Sequence, residues 1–531
     1  MGRANTTVAE NAILSHMPPS PRAMLIVLDG WGVAPPSRRN AISQARTPTI
    51  SSLTENYFTA TLQASGIAVG LPWREEGNSE VGHMNMGAGH IVYQYLPRIT
   101  EELRNGTFYQ NQTLLSAVAH AKTHNSRLHV MGLFSSGNVH SSQEHFLGIL
   151  DIATRGGLTE VVTHLFTDGK DGKPNEAADM LGPLMGRLAH FTYKIPGSIA
   201  GRMYALDRNG NWDLTKQTYD MLTKNVGTAA TDPVAYLRDC YAKGNTDTDI
   251  PPAVFTYDGK PIPPIEDNDA VIFFDFREDS VRQLARAFAL PTFDAFERVL
   301  PANLFIISMT EYEDGLPIHV AYPPPAIDMP LARVLSEAGK RQLHVAETEK
   351  YAHVTYFFNG AHEKPYPGED RIVIRSEGGP HYEKNPAMQA SRIAQEVVAR
   401  IKDYDFYLIN FANADMLGHT GNTPATIAGI EAIDAALAHI VGAALAFHMT
   451  VIITADHGNA EDMLDPKTGL PRTNHSGNPV PVYIVGEGFE QRAKSFLHEM
   501  APSGILADIA PTILRVMGIA QPPSMTGSSL V

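Results

Sequence analysis

The sequence predicts an α/β protein of two domains, one of them interrupted by the other. Short apolar, β-branched runs such as Ala23-Met-Leu-Ile-Val-Leu28 and Met449-Thr-Val-Ile-Ile453 lead straight into polar residues, Asp29 after the first and Asp456-His457 after the second. Buried parallel strands read this way, and open α/β sheets bind ligands just beyond the carboxyl ends of their strands. Carboxylate and imidazole residues of metal-ligating type come from both ends of the chain, whereas the middle carries arginines at strand ends. That arrangement suggests a metal domain split by an inserted substrate domain. At 531 residues the chain is also too long for one ordinary core.

Composition narrows the class of function. A hydrophobic share of 43% with 19% charged residues is that of a globular protein. The formal charge of −15 argues against a nucleic-acid or anionic-membrane surface, but a few local arginines can still hold a small anion. The single cysteine, Cys240, rules out an internal disulfide framework and fits a reducing, cytoplasmic setting. No apolar run reaches the ~18–20 residues of a bilayer span, so no membrane association is expected. Residues 1–22 lack the features of a secretory signal and, with Pro18, Pro19 and Pro21, read as a disordered tail. Met1-Gly2-Arg3-Ala4-Asn5-Thr6 fits the loose N-myristoylation pattern, which is short enough to arise by coincidence.

The elements follow in order. The first strand delivers Asp29 beside glycines that permit tight turns. In Gly77-Asn-Ser-Glu-Val-Gly-His83 the glycines leave room for a phosphate or metal to approach the hydroxyl of Ser79. From 96 to 321 three strands each end in polar groups: Arg127–Phe134 leads to His140, Val161–Phe166 to Asp168-Gly-Lys170-Asp171, and Ala270–Phe274 to Arg277. Arg202 and Arg208 lie between them. The planar guanidinium fork suits phosphate and carboxylate, so clustered arginines suit a small phosphorylated acid. Pro323-Pro-Pro325 reads as a domain crossing, leaving 23–95 and 322–531 as the metal-binding domain.

Beyond the crossing, a short strand around His344–Glu347 places Lys350 after it, and the Asp405–Phe411 run delivers Asp415 and His419. Four residues apart, these two face the same way if the segment makes a helical turn. Thr423 and Pro424 read as the N-cap and first position of a helix whose Ile427, Ile430, Ile433, Leu437, Ile440 and Val441 form a core face. His475 follows in a further loop. Asp29, Ser79, Asp415, His419, Asp456, His457 and His475 thus make a potential seven-ligand set, all expected in loops. Seven ligands suit two ions, and paired ions can bind phosphoryl oxygens and lower the pKa of a hydroxyl nucleophile. Aspartate oxygen beside imidazole nitrogen suits Zn²⁺ or Mn²⁺.

The chain resembles the cofactor-independent (2,3-bisphosphoglycerate-independent) phosphoglycerate mutases of the alkaline phosphatase superfamily, from about Ala23 to the C-terminus. Four motifs carry the likeness: Gly77-Asn-Ser-Glu-Val-Gly-His83, Ala346-Glu-Thr-Glu-Lys-Tyr-Ala-His-Val354, Asp415-Met-Leu-Gly-His-Thr-Gly421 and Thr454-Ala-Asp-His-Gly-Asn-Ala-Glu461. The resemblance implies an alkaline-phosphatase-like metal domain, mostly parallel sheet flanked by helices, and an inserted α/β substrate-binding domain. It implies one Mn²⁺ held by Asp29, Ser79, Asp456 and His457 and another by Asp415, His419 and His475. Zn²⁺, Co²⁺ or Mg²⁺ could take the same ligands, and 2,3-bisphosphoglycerate is not needed. Ser79 would be the nucleophile in the interconversion of 3-phosphoglycerate and 2-phosphoglycerate, a step of glycolysis and gluconeogenesis. By the same likeness His140, Asp171, Arg202, Arg208, Arg277 and Lys350 contact the substrate, with Asp171 as acid/base. Domain closure to exclude water and a monomer sufficient for activity are also expected.

Three positions depart from the family pattern. Lys170, Ser280 and His90 each stand where an arginine is expected, and Arg282 is a nearby alternative to the missing one. The charge-bearing clamp has therefore changed while the metal set is intact. Two other readings stand beside the mutase: a metal-dependent phosphohydrolase or mutase acting on another small phosphate ester, and a non-catalytic binding relative.

Overall fold

The computed structural model describes residues 21–377, 379, 381–491 and 496–531. The expected tail and its Gly2 pattern fall, up to residue 20, outside the described residues. The chain divides into two compact units, one formed by residues up to Gln94 together with Pro325–Val531, the other by Tyr95–Pro324.

Among the described residues the first unit is built on an eight-stranded sheet. Its order is Glu369–Ile374, Gln342–Glu347, Phe406–Phe411, Ala23–Leu28, Thr450–Thr454, Val480–Val485, Phe58–Gln63 and Gly504–Ile505. The first five run parallel, with Leu25 opposite both Leu408 and Ile452. Val480–Val485 runs antiparallel to both its neighbours. Ala23–Leu28, Phe406–Phe411 and Thr450–Thr454 are buried at every position, which is why they read as unbroken apolar runs. Parallel and adjacent, they release the chain at the same sheet edge, and that edge receives Asp29, Asp415, Asp456 and His457.

The second unit has a nine-stranded sheet among the described residues. Six parallel strands lie side by side in the order His319–Tyr322, Phe305–Thr310, Ala270–Phe273, Leu128–Phe134, Val161–Thr167 and Ser198–Gly201. Ala253–Tyr257 then pairs antiparallel to Ser198–Gly201. Leu128 and Val130 belong to one apolar core and Met131 and Leu133 to another, so both faces of the sheet are covered.

Two expectations are corrected on the helix Thr423–Ala446. Its cap is Asn422, whose side chain accepts from the Ala425 N–H at 3.1 Å, so Thr423 and Pro424 lie inside the first turn. By length and composition the helix is also apolar enough to cross a membrane, contrary to the reading of the sequence, although half of the qualifying stretch is buried inside the unit. Ile430, Ile433, Leu437, Ile440 and Val441 pack in the core, with Ile427 at its edge. Asp434 accepts from the backbone N–H groups of Thr49 and Ile50 at 3.0 and 2.9 Å, at the start of the helix Pro48–Asn56. A buried carboxylate satisfied in this way marks a core helix.

Candidate active site

Ser79 and Asp415 are not in loops, as the sequence suggested. The Asn78 side chain accepts from Val81 N–H at 2.9 Å and starts the helix Ser79–Ala88, placing Ser79 at its first position. Asp415 sits in the short helix Asn413–Gly418, and His419 caps that helix. A Cβ on Gly77 would lie 2.1 Å from the Ala64 carbonyl oxygen and 2.9 Å from the His457 Cβ, so only glycine lets this approach to Ser79 pass so close.

The serine hydroxyl is surrounded by ionisable groups. Ser79 Oγ lies 3.1 Å from Asp29 Oδ1 and 3.0 Å from His457 Nε2, and accepts from Lys350 Nζ at 2.8 Å. Lys350, on the 3₁₀ turn Thr348–Lys350, also donates at 2.6 Å to both Asp29 Oδ1 and Asp415 Oδ2. Burial opposes its charge, but Asp29, Asp415 and Asp456 hold the ammonium well above its ordinary pKa. Burial is the largest influence and pushes Asp29 and Asp415 up, yet Lys350 together with the neighbouring histidines, His457 for Asp29 and His419, His475 and His457 for Asp415, keeps both well below the usual carboxylate range. Burial likewise lowers His457, but Asp456 and the other two carboxylates raise it to about 9.

The donor atoms gather in two triads, Asp29–Asp456–His457 and Asp415–His419–His475, each with its ligand atoms within 4.8 Å of one another. In the second, His419 Nδ1 meets the Thr473 carbonyl and His475 Nδ1 the Gly77 carbonyl, both at 2.7 Å. A ring nitrogen facing a carbonyl oxygen must carry the proton, so each ring in its neutral form turns an Nε2 lone pair inward. Those two atoms stand 3.1 Å apart, and 3.2 and 3.3 Å from Asp415 Oδ1. Converging lone pairs and a carboxylate require either an added proton or a shared cation. In the first triad Asp456 Oδ2 is buried without a hydrogen-bond partner. Three buried carboxylates balanced by one lysine and a histidine leave a deficit of positive charge that divalent ions fit.

Residues outside the seven-ligand set orient these groups. Asn410 donates to Asp29 Oδ2 at 2.8 Å, and Asn459 donates to Asp415 Oδ1 at 3.0 Å. The Gly30 N–H reaches Asp456 Oδ1 at 3.2 Å. Glu461 accepts from Gly32 N–H at 3.1 Å and from Asn459 N–H at 2.8 Å. His83 places Nδ1 2.9 Å from the Ser79 carbonyl oxygen and 3.3 Å from Asp456 Oδ2. Such outer partners fix ligand orientation. The sequence carried a signal for Asn410, the polar residue of an otherwise apolar strand, but that signal went unused.

A second cluster is built within the Tyr95–Pro324 unit. His140 lies beyond the strand Leu128–Phe134, Asp168 and Asp171 beyond Val161–Thr167, and Arg202 directly after Ser198–Gly201. Arg202 donates through Nη1 to Asp171 Oδ2 at 2.6 Å and through Nη2 to His140 Nε2 at 2.9 Å, and it pairs with Asp168. Asp168 also accepts from Ser135 Oγ at 2.5 Å and from Gly172 N–H at 2.9 Å, tying the loop to the arginine. Burial first, then Arg202, lowers His140 to about 4. Arg208 and Arg277, both about half exposed, converge on Asp279 rather than on that cluster.

The departures from the family pattern have separate environments. The Lys170 side chain is exposed, and its backbone N–H donates to Asp168 Oδ1 at 3.2 Å. Arg282 Nε donates to the Tyr312 carbonyl at 2.8 Å. His90 Nδ1 lies 3.1 Å from the Ala88 carbonyl oxygen. Ser280 is buried, with Oγ 3.0 Å from His140 Nδ1.

A two-unit α/β fold with two carboxylate–imidazole triads around a serine is that of a metal-dependent enzyme, and the family described as the Metalloenzyme superfamily matches residues 21–521. The chain is 43% identical over 535 residues to the 2,3-bisphosphoglycerate-independent phosphoglycerate mutase of Chloroflexus aurantiacus, covering 96% of this chain and 98% of that one. The protein of the same name from Moorella thermoacetica is 43% identical over 511 residues, with the same coverage. Among solved structures, Leishmania mexicana phosphoglycerate mutase at low cobalt concentration aligns with a TM-score of 0.56 and 29% identity, covering 97% of this chain and 98% of that one. The chain belongs to the 2,3-bisphosphoglycerate-independent phosphoglycerate mutase family.

Proposed function

We propose that this enzyme interconverts 3-phosphoglycerate and 2-phosphoglycerate by way of a phosphoserine on Ser79, without 2,3-bisphosphoglycerate. The observation that carries the reading is the buried Ser79 hydroxyl, held between Lys350, Asp29 and His457. Two divalent ions, most readily Mn²⁺, would be held by Asp29, Ser79, Asp456 and His457 and by Asp415, His419 and His475, supplying positive charge to phosphoryl oxygens and favouring the serine alkoxide. Zn²⁺, Co²⁺ and Mg²⁺ accept the same donors, Zn²⁺ and Co²⁺ at least as tightly as Mn²⁺, so cellular supply decides which ion is resident.

Ser79 Oγ attacks phosphorus as the bond to the 3-oxygen of the substrate breaks. The Lys350 ammonium, already 2.8 Å from Oγ, stabilises negative charge on the nucleophile. The glycerate then reorients while bound, and its 2-hydroxyl takes the phosphoryl group back from Ser79. Asp171 exchanges protons with the substrate hydroxyls, and His140 Nε2, exchanging Arg202 for the substrate, accepts from one of them. Arg202, Arg208 and Arg277 hold the phosphate and carboxylate charges, the last two exchanging Asp279 for the substrate. Lys170 adds charge without a bidentate fork. We read 96–321 as the substrate-binding domain and the protein as a monomer, and its single cysteine supports a reducing, cytoplasmic setting.

The deciding assay uses metal-stripped protein, Mn²⁺ and 3-phosphoglycerate with no bisphosphoglycerate. It follows 2-phosphoglycerate through enolase and, in parallel, inorganic phosphate. Formation of 2-phosphoglycerate without phosphate release is the expected result. Phosphate alone would make the protein a hydrolase, and silence in both channels would remove the mutase reading.

A further inference from the structure

The hydroxyl of Ser280 and the ring of His140 form a contact that the family pattern would not supply, since an arginine is expected at 280. Phe276 N–H and Arg277 N–H both donate to the His140 backbone carbonyl, at 2.8 and 3.2 Å. The turn that opens the helix Glu278–Ala289 therefore grips His140 through its backbone, and Ser280, in the first turn of that helix, grips its ring. Both residues are almost fully buried, at 2% and 4% exposure.

The hydrogen-bond roles follow by elimination. Arginine can only donate, so the 2.9 Å hydrogen bond from Arg202 Nη2 makes His140 Nε2 an acceptor; Asp171 Oδ2, 3.2 Å from the same nitrogen, makes an ion-pair contact with it but no hydrogen bond. A neutral imidazole must then carry its proton on Nδ1, which donates to Ser280 Oγ at 3.0 Å. The serine proton is left to the Arg277 carbonyl at 3.3 Å. An arginine touching Nδ1 could not accept that proton and would impose the opposite tautomer. The charged groups around the ring are Arg202, Asp171, Arg277 and Asp279.

We propose that Ser280 is a positioning residue for the mutase: its hydroxyl accepts the Nδ1 proton of His140 and fixes the imidazole with an unprotonated Nε2, which accepts from Arg202 in this structure and from the substrate's hydroxyl group once Arg202 turns to the substrate's anionic groups. The kinetic consequence rests on the mutase reading, whereas the tautomer itself does not. A fixed neutral acceptor at that point favours a hydroxyl donor of the substrate over an anionic oxygen.

The test is ¹⁵N NMR of histidine-labelled, full-length enzyme, with the His140 signals assigned by their loss in His140→Gln. The wild type is expected to show a protonated Nδ1 and a bare Nε2 from pH 5.5 to 8. Ser280→Ala should shift His140 to mixed tautomers and lower kcat roughly three- to tenfold, the worth of one hydrogen bond, with a smaller change in KM. Ser280→Thr, which keeps the hydroxyl, should restore both. Retention of the wild-type Nδ1–H signature in Ser280→Ala would overturn the proposal, whatever happened to the rate. If no mutase activity exists, the NMR comparison still decides the tautomer, so the two failures are distinguishable.

Discussion

The Nε2 atoms of His419 and His475 stand 3.1 Å apart, each ring having given its Nδ1 proton to a backbone carbonyl. With Asp415 Oδ1 within 3.3 Å of both, the three donors gain nothing from their proximity unless they share positive charge. Chelation should therefore lower the thermal midpoint, and Mn²⁺ should restore it. A site filled at a hundredfold excess over its dissociation constant adds about 2.7 kcal/mol. Elemental analysis should find two ions per loaded chain and about one in His475→Ala. A midpoint indifferent to chelation in protein that has lost its ions would count against both sites.

Lys350 makes a separable prediction. Its Nζ lies 2.6 Å from both Asp29 and Asp415, so Lys350→Met keeps the unbranched apolar stem, one atom shorter, but strands two buried carboxylates. Breaking a buried pair from one side costs about 3–5 kcal/mol. That loss should appear in metal-free protein and shrink in the loaded form, where divalent charge replaces the ammonium. Urea midpoints of wild type and variant, with and without Mn²⁺, measure it. Equal losses in both forms would mean that the lysine acts by packing rather than by charge.

The strands and the donor set were legible because apolar runs end abruptly in Asp29, Asp415 and Asp456, a local pattern. What stayed illegible was pairing between distant residues. Nothing near Ser280 announces His140, which lies 140 residues earlier, and nothing near Asp279 announces Arg208. Ser79 read as a loop residue because the glycines around it suggest a turn, whereas the Asn78 cap starts a helix there. Asn410 and Asn459 went unnoticed because periodicity does not show which polar side chain turns toward a carboxylate. The helix Thr423–Ala446 shows the same limit: its few charged residues include Asp434, whose partners at Thr49 and Ile50 are remote in sequence.

Stability should fall on acidification through buried histidines of the second unit. Across four neighbouring strands His129 Nε2 donates to Asp269 Oδ2 at 3.1 Å, His164 Nε2 to His129 Nδ1 at 2.9 Å, and Ser198 Oγ to His164 Nδ1 at 2.8 Å. Burial, aided by His129, holds His164 well below its ordinary pKa, and burial pulls His145 down to about 3. Both stay neutral in the fold while the unfolded chain takes up protons below about pH 6.5, so their contribution is complete above that pH and is lost as pH falls below it. His164→Phe should flatten that slope while costing about 1–3 kcal/mol near neutrality, since His129 and Ser198 lose a partner. Denaturant titrations from pH 5 to 8 give both quantities. An unchanged acid slope would show that His164 is already protonated in the fold.

Gly82 sets the simplest steric test of the site. It lies in the helix that begins at Ser79, where alanine would ordinarily be preferred to glycine by about 1 kcal/mol. Here an added Cβ would lie 2.7 Å from both the Cβ and the carbonyl oxygen of Asp456, and 3.0 Å from its Cα. Backbone and ligand must therefore move apart, and the propensity gain is reversed. Gly82→Ala should weaken Mn²⁺ binding at the Asp29–Asp456–His457 triad and lower kcat/KM by roughly 10²-fold, the scale expected when a reacting group shifts by about 1 Å. His419 and His475 lie outside the clash, so the other triad should bind as before. Metal titrations on the variant would separate the two sites. A more stable variant with wild-type affinity at both would mean that the helix can retreat from Asp456 without disturbing Ser79.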